Sequence, residues 1–321
     1  MSVDAGGQMT TTRIPIDRGL LPGVDGLDSS IFRTSAPART VVVATPGGGM
    51  SRRYFDLDLA GFSMATHLAA RGIAFVTVDL PGVGTTPPPS DLRLLHPDSL
   101  AAVLASATAN IIGLLHDSVD ERGPVAQPDA TIVGLGHSMG AMLTVIAQAN
   151  HRPFDSLVLL GWSGRGLPEV LLPDETDVAG DPDRARATIA DLALARFGDL
   201  LPPPASRGTD TTGSDFLLRV PIDDAVRNAL RGAKARLLTQ AGLWAMIPGI
   251  GDRERSAIDV PVLCGVGEMD ITGDPNDLPG HLPNAAVDVY VQPGAGHNGN
   301  VAPSRAQLWD AVADWCFGRS T

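Results

Sequence analysis

The sequence predicts an α/β protein with a mostly parallel central sheet, flanked by helices and interrupted by a helical insertion. Three observations predict it. Short β-branched apolar runs alternate with helix-forming stretches through the first half of the chain and again near its end. One of these runs passes through a glycine-flanked serine turn directly into a helix. Between a strand ending near Trp162 and another beginning near Val260 the alternation stops, and only helical spacing remains.

Residues 1–11 read as a flexible N-terminus, and Thr12 to Ile16 and Ser30 to Thr34 as antiparallel lead-in strands. The run Val41-Val42-Val43-Ala44-Thr45 is the first firm strand, and it ends in Pro46-Gly47-Gly48-Gly49-Met50. Consecutive glycines after a buried strand expose backbone N–H groups that no side chain shields. Asp58 to Arg71 follows with a helical apolar stripe and Gly72 as its stop signal. Ile73 to Val78 is the next strand, leading into Asp79-Leu80-Pro81-Gly82-Val83-Gly84. Pro97-Asp98 opens a long helix towards Leu115 that is apolar nearly all round, as expected of a helix buried against a sheet.

The run Thr131 to Leu135 reads as a strand, Ala141 to Ala149 as a helix, and the turn between them is Gly136-His137-Ser138-Met139-Gly140. This G-x-S-x-G pattern lets neighbouring backbone approach closely, so that the serine occupies a strained turn with its hydroxyl at the tip. A dinucleotide fingerprint beginning at Gly134 and Gly136 needs a third glycine at position 139, which is methionine. Ser156 to Leu160 is another strand. Residues 165–255 then form the insertion, where Asp181 N-caps a helix carrying Ala185, Ile189 and Leu192 on one stripe. A second helical pattern runs through Ile222, Val226, Leu230, Ala233 and Leu237, and the Pro202-Pro203-Pro204 and Gly-Thr-Asp-Thr-Thr-Gly segments between the two are loops. Placed over the carboxyl edge of the sheet, such an insertion caps a ligand site. Val260 to Cys264 and Val287 to Val291 resume the strands, and Pro303 to Phe317 closes the chain as a helix. The sheet-bearing core is thus residues 12–164 and 256–321.

Composition narrows the partners. At 44% hydrophobic residues the chain has ample material for a sizeable core, and 24 basic against 36 acidic residues give a net charge of −12. That sign disfavours nucleic acid and anionic membrane surfaces. The N-terminus lacks the cationic start and apolar core of a signal peptide, and apolar stretches such as Ser156 to Trp162 are too short to cross a bilayer, so the expected location is the cytoplasm without membrane insertion. Cys264 and Cys316 fall in apolar elements and are expected as buried free thiols. Histidine spacing supplies no metal site, and no cofactor is expected. The oligomeric state stays open, a homodimer included.

A serine hydroxyl needs a base, an acid to orient that base, and an oxyanion site. His297, in the loop Gly294-Ala295-Gly296-His297-Asn298-Gly299 after the last strand, is the candidate base. Asp270, in Gly265-Val266-Gly267-Glu268-Met269-Asp270, is the candidate acid, with Glu268 and Asp274 as rivals. His137, next to the serine, points elsewhere if the turn is real, which leaves it a structural role.

The glycine loop after the first firm strand, the Asp79 to Gly84 segment, the Gly136 to Gly140 turn and the late carboxylate and histidine loops occur in an order that resembles the α/β-hydrolase fold family over nearly the whole chain outside the insertion. The family order of serine, acid and histidine implies Ser138, Asp270 and His297 as the catalytic set. It also implies an oxyanion hole from the Met139 N–H and an amide of the glycine loop. Many relatives carry a histidine before the first loop glycine, where this chain has Pro46, so Gly48 and Gly49 both stand as the second donor.

The expected function is that of a cofactor-free serine hydrolase acting on a small apolar carboxylic ester, lactone or thioester through an acyl-enzyme. Trp162, with Leu243, Trp244, Met246 and Ile247 from the insertion, is expected to line the substrate pocket. The Gly-His-Ser-Met-Gly-Ala run also resembles thioesterases that release acyl groups from carrier proteins. Related proteins hydrolyse carbon–carbon bonds or transfer acyl groups with the same residues, and a non-catalytic ligand-binding protein is the remaining alternative.

Overall fold

The computed structural model describes residues 9–117, 123–204 and 219–318. The lead-in strands are β1 (Met9–Pro15) and β2 (Gly26–Phe32), paired antiparallel with Met9 opposite Phe32. β1 begins at Met9, inside the segment expected to be flexible, because backbone pairing to β2 orders residues whose side chains alone carry little signal. Residues 1–8 of that segment lie outside the described residues.

The next strands are β3 (Ala38–Thr45) and β4 (Ala74–Val78), with α1 (Met64–Ala70) between them. α1 is shorter than its apolar stripe suggests: the Ser63 side chain accepts from the Thr66 N–H at 3.0 Å and starts the helix there. Then come α2 (Pro97–His116), β5 (Ala126–His137), α3 (Met139–His151) and β6 (Ser156–Leu160). The insertion contributes α4 (Pro173–Val178), α5 (Pro182–Phe197), α6 (Asp224–Gly232), α7 (Thr239–Trp244) and α8 (Asp252–Ser256). The chain closes with β7 (Val262–Gly267), β8 (Val287–Gln292) and α9 (Arg305–Phe317).

The eight strands form one sheet in the order β1-β2-β4-β3-β5-β6-β7-β8. Pairing is antiparallel for β1 with β2 and β2 with β4, and parallel elsewhere. Every residue of β4 and β6 is buried, as strands covered on both faces require. The two faces fill two cores. Val41 and Val43 point into one with residues of α2 and α3, while Val42 and Ala44 point into the other with residues of α1 and α9.

α2 corrects an expectation. It is 20 residues long and apolar enough to cross a membrane by length and composition, although no stretch was expected to be. Half of its most apolar window is buried inside the protein, and packing on the sheet accounts for the apolarity.

Asp181 caps α5 as expected, its side chain accepting from the Arg184 N–H. Val178, Ala185, Ile189 and Ala193 of the insertion belong to the same buried cluster as α2 and α3. Two ion pairs are sunk beside them, Arg186 with Glu254 and Arg196 with Glu175, each at 2.5 Å with the carboxylate almost fully buried. The expected helical run to Leu237 stops at Gly232. Beyond it, Ala233 to Ala235 pair with the glycine loop instead: the Ser51 N–H donates to the Ala233 carbonyl and the Ala235 N–H to the Gly49 carbonyl, both at 2.8 Å. The Gly-Thr-Asp-Thr-Thr-Gly loop lies outside the described residues.

Candidate active site

Ser138 sits at the end of β5 with φ 53° and ψ −120°, a backbone conformation that costs a non-glycine residue of order 1–3 kcal/mol. The turn is held from outside, since the Ser138 N–H donates to the Leu160 carbonyl of β6 at 2.8 Å. Both flanking glycines are required by close approach rather than by flexibility. A Cβ on Gly136 would lie 2.3 Å from the Ala141 Cα, and one on Gly140 would lie 2.3 Å from the Thr45 carbonyl oxygen. The serine hydroxyl is thereby presented at the carboxyl edge of the sheet, where open α/β sheets bind ligands.

His297 reaches it from the loop after β8. Its Nε2 lies 2.8 Å from the Ser138 Oγ, and its Nδ1 lies 2.8 Å from the Asp270 Oδ1. A carboxylate only accepts, so Nδ1–H donates to Asp270 and Nε2 is left to accept from the serine hydroxyl. Asp270 also accepts from the Ile271 N–H at 2.6 Å and the Gly267 N–H at 3.3 Å. Burial pushes its carboxyl upwards, but the His297 hydrogen bond and charge, joined by these two amides, outweigh that and hold it below the usual carboxylate range. The rival carboxylates are occupied elsewhere: Glu268 accepts from the Gly294 N–H, and Asp274 caps the turn at Asn276.

His137 has a more specific place than sequence alone assigned to it. Its ring stacks on Tyr54 with centroids 4.7 Å apart, and its Nε2 lies 2.9 Å from the backbone carbonyl of His297. That carbonyl only accepts, so Nε2 carries the proton and His137 tethers the His297 backbone. Nδ1 has no hydrogen-bond partner among the described residues. Complete burial, helped by the nearby His297, pushes His137 down to about 3 and keeps it neutral.

The serine and histidine open into a cavity of about 250 Å³. Its sheet-edge wall includes Gly47, Gly48, Met139 and Trp162, and the insertion supplies Phe197, Leu237, Gly242, Ala245 and Met246. Gly48 and Met139 thus border the same space as the Ser138 hydroxyl. The Met139 N–H is the first of α3 and has no partner within that helix. Gly49 does not line the cavity, and its carbonyl is tied to Ala235. Among the described residues, no Asp, Glu, Lys or Arg side chain is on the wall.

The structure divides the expected pocket residues. Trp162 and Met246 line the cavity, whereas Leu243, Trp244 and Ile247 are nearly fully buried in the main core. The reason is helical geometry. Leu243 and Trp244 end α7, and the turn after it keeps the helical sense through the bond from the Ile247 N–H to the Leu243 carbonyl, so that 243, 244 and 247 turn inwards and Gly242, Ala245 and Met246 are left facing the cavity. Sequence reasoning followed the large side chains and missed Leu237, Phe197 and Gly242; a stripe of small residues opposite an apolar one was the available signal. Among the described residues, no group of three or more His, Cys, Asp or Glu side chains is arranged to hold a metal ion.

Comparisons with known proteins agree with this architecture. A carboxyl esterase from Bacillus coagulans, solved in complex with glycerol, superposes with a TM-score of 0.66 at 16% identity, covering 98% of this chain and 99% of that one. An esterase from Exiguobacterium antarcticum gives 0.61 at 16% identity over 96% and 100% of the two chains. The thioesterase domain from the curacin biosynthetic pathway gives 0.59 at 17% identity over 97% and 99%. At such identities the likeness establishes the fold alone. No curated protein sequence gives a significant match. A sequence model described as the alpha/beta hydrolase family matches residues 41–314, most of the chain, and the protein belongs to that family.

Proposed function

We propose that the protein is a serine hydrolase that cleaves an uncharged, largely apolar ester, lactone or thioester. The observation that carries this reading is the continuous chain from Asp270 through His297 to Ser138, at 2.8 Å for each link, ending in a cavity on whose wall the described residues place no carboxylate, ammonium or guanidinium group. In this reading His297 Nε2 takes the hydroxyl proton as the Ser138 oxygen attacks the substrate carbonyl. Asp270 fixes the imidazole tautomer and stabilises the imidazolium that forms. The tetrahedral oxyanion is met by the N–H groups of Met139 and Gly48, the former aided by the dipole of α3. His297 then returns the proton to the leaving group, and water, deprotonated in the same way, hydrolyses the acyl-enzyme.

The insertion, residues 165–255, acts in this reading as a cap that sets which substrate fits and excludes bulk water from the oxyanion. An apolar wall without cations favours a neutral substrate, because a buried charge without a partner is costly.

A fluorophosphonate probe tests the nucleophile. The parent protein is expected to label, and Ser138→Ala to lose labelling together with ester turnover. Equal labelling of the two would overturn the assignment. The Gly136 to Ala141 run also supports a second reading, a thioesterase for carrier-bound acyl groups. Turnover of an acyl thioester at least as fast as that of the matched aryl ester would favour it.

A further inference from the structure

Glycines crowd the cavity wall, and nearly all of them are imposed by the fold. A Cβ on Gly47 would lie 2.7 Å from His137 Nδ1, and one on Gly48 would press on Leu237 at 3.1 Å. Gly161, Gly164 and Gly166 have φ between +60° and +76°, which other residues rarely adopt. Gly242 differs from all of these. It lies inside helix α7, donates its N–H to the Leu238 carbonyl at 2.8 Å, and does not have a positive φ. A Cβ there would find its nearest neighbour, Leu237 Cδ1, at 3.5 Å, an ordinary van der Waals contact.

Within a helix, glycine is less favourable than alanine because it loses more backbone entropy on folding. At this position no described residue requires the side chain to be absent. What the missing methyl provides is room in the cavity, on the wall that Gly242 shares with Ala245 and Met246.

We infer that Gly242 is the size-setting position of the substrate pocket, against which the apolar chain or ring of the substrate lies. The inference rests on the proposed hydrolase reading and adds to it the residue that chooses substrate bulk. It predicts opposite signs for two measurements. Gly242→Ala stabilises the protein, raising Tm by about 1–2 °C, while it narrows the pocket at the point where a long or branched substrate passes.

The experiment uses two graded series of p-nitrophenyl and alkyl esters, one from acetyl to octanoyl in the acyl part and one graded in the alcohol. For Gly242→Ala the ratio of kcat/KM for the long over the short member of one series is expected to fall about ten-fold, and for Gly242→Leu about a hundred-fold, within the roughly 10–200-fold that a methylene-sized mismatch makes in a hydrophobic pocket. Gly232→Ala is the control. Gly232 ends α6, is exposed, and has no atom within 4 Å of an added Cβ, so the same exchange there is expected to leave both ratios as in the parent. Ratios unchanged in both series for Gly242→Leu would overturn the inference, as would equal loss across all chain lengths. Fluorophosphonate labelling of Ser138, read on the same samples, separates this failure from failure of the hydrolase reading: a labelled enzyme with unshifted ratios refutes only the role of Gly242.

Discussion

The cavity has two walls built on different principles. The sheet-edge wall is made of residues whose positions are dictated by backbone hydrogen bonds and close approaches at strand ends: Ser138 tied to Leu160, His297 tied to Asp270 and His137, Gly140 against Thr45. The insertion wall joins Phe197 and Leu237 to what is left over when α7 and the turn after it put their larger residues into the core, with Trp244 inside and Gly242 outside. The first wall is overdetermined, so that a shift of one residue displaces those it is tied to. The second is free to vary in size as long as the core behind it stays packed. Substitutions on the sheet edge are therefore expected to lower turnover of every substrate alike, and substitutions on the insertion wall to change which substrates are preferred.

Asp270→Asn gives the largest expected effect. It leaves the shape of the site nearly intact but offers an amide where the imidazole needs an anion, so turnover is expected to fall about 10³–10⁴-fold, equally across an ester series. Steady-state kinetics on short and long esters checks both parts. A loss confined to some substrates would mean that the sheet-edge wall also selects, and would break the distinction.

Next comes the support of the insertion. The Glu254 carboxylate is about 1% exposed and is held by Arg186 at 2.5 Å, whose guanidinium also lies 4.6 Å over the Trp244 ring. Arg186→Met leaves that carboxylate buried with Arg253 as its remaining ion-pair partner among the described residues, and removing one partner of a buried pair costs about 3–5 kcal/mol. Urea unfolding is expected to show a loss at the lower end of that range, because Arg253 remains. An unchanged midpoint would show that the insertion is not secured through this pair.

How far each wall was legible in the sequence follows from the same distinction. The serine turn, the late carboxylate and the final histidine loop are legible because glycine and polar residues at strand ends have few other uses. The sequence favours Asp270 over Glu268 and Asp274, and Asp270 is the carboxylate that lies against His297. The strands of the parallel sheet are legible from β-branched runs. The insertion wall is less legible, since helical periodicity specifies which residues share a face but not which face meets the core. The size of Leu243, Trp244 and Ile247 suggests a pocket lining, and the same size sends them inwards. The shortened α6 was hidden for another reason: Ala233 to Ala235 are claimed by the glycine loop, a pairing made across about 180 residues of sequence that no local pattern encodes.

His137 sits between the two extremes: it borders the cavity beside Ser138, yet it is tied to the backbone of His297. The folded protein keeps it neutral down to about 3, while an unfolded histidine takes up a proton below about 6.5. Between these values unfolding binds a proton, so stability rises with pH and is lost on acidification at roughly 1.4 kcal/mol per unit. From pH 6.5 to 5 the parent is expected to lose about 2 kcal/mol more than His137→Phe, which cannot titrate. The variant also leaves the His297 carbonyl without its donor, for a cost of about 1–3 kcal/mol at neutral pH, and its kcat is expected to fall about ten-fold as the His297 loop loosens. Parallel acid-induced losses in the two proteins would overturn the neutral assignment.

The smallest effect is expected at Met246, and it is the most discriminating for the comparison of walls. Met246 lines the cavity but is not fully buried, so truncation to alanine removes wall contacts without opening a sealed core void. A thioether side chain is flexible and adapts to whatever occupies the cavity, so its loss is felt as weaker binding and not as misplacement of the reacting groups. Met246→Ala is accordingly expected to raise KM for short esters about two- to five-fold, with kcat held near the parent value, and to relieve that penalty as the substrate lengthens to fill the space. A uniform drop in kcat would place Met246 on the chemical side of the cavity and merge the two walls into one, because only a group that shapes the transition state lowers kcat for every substrate alike.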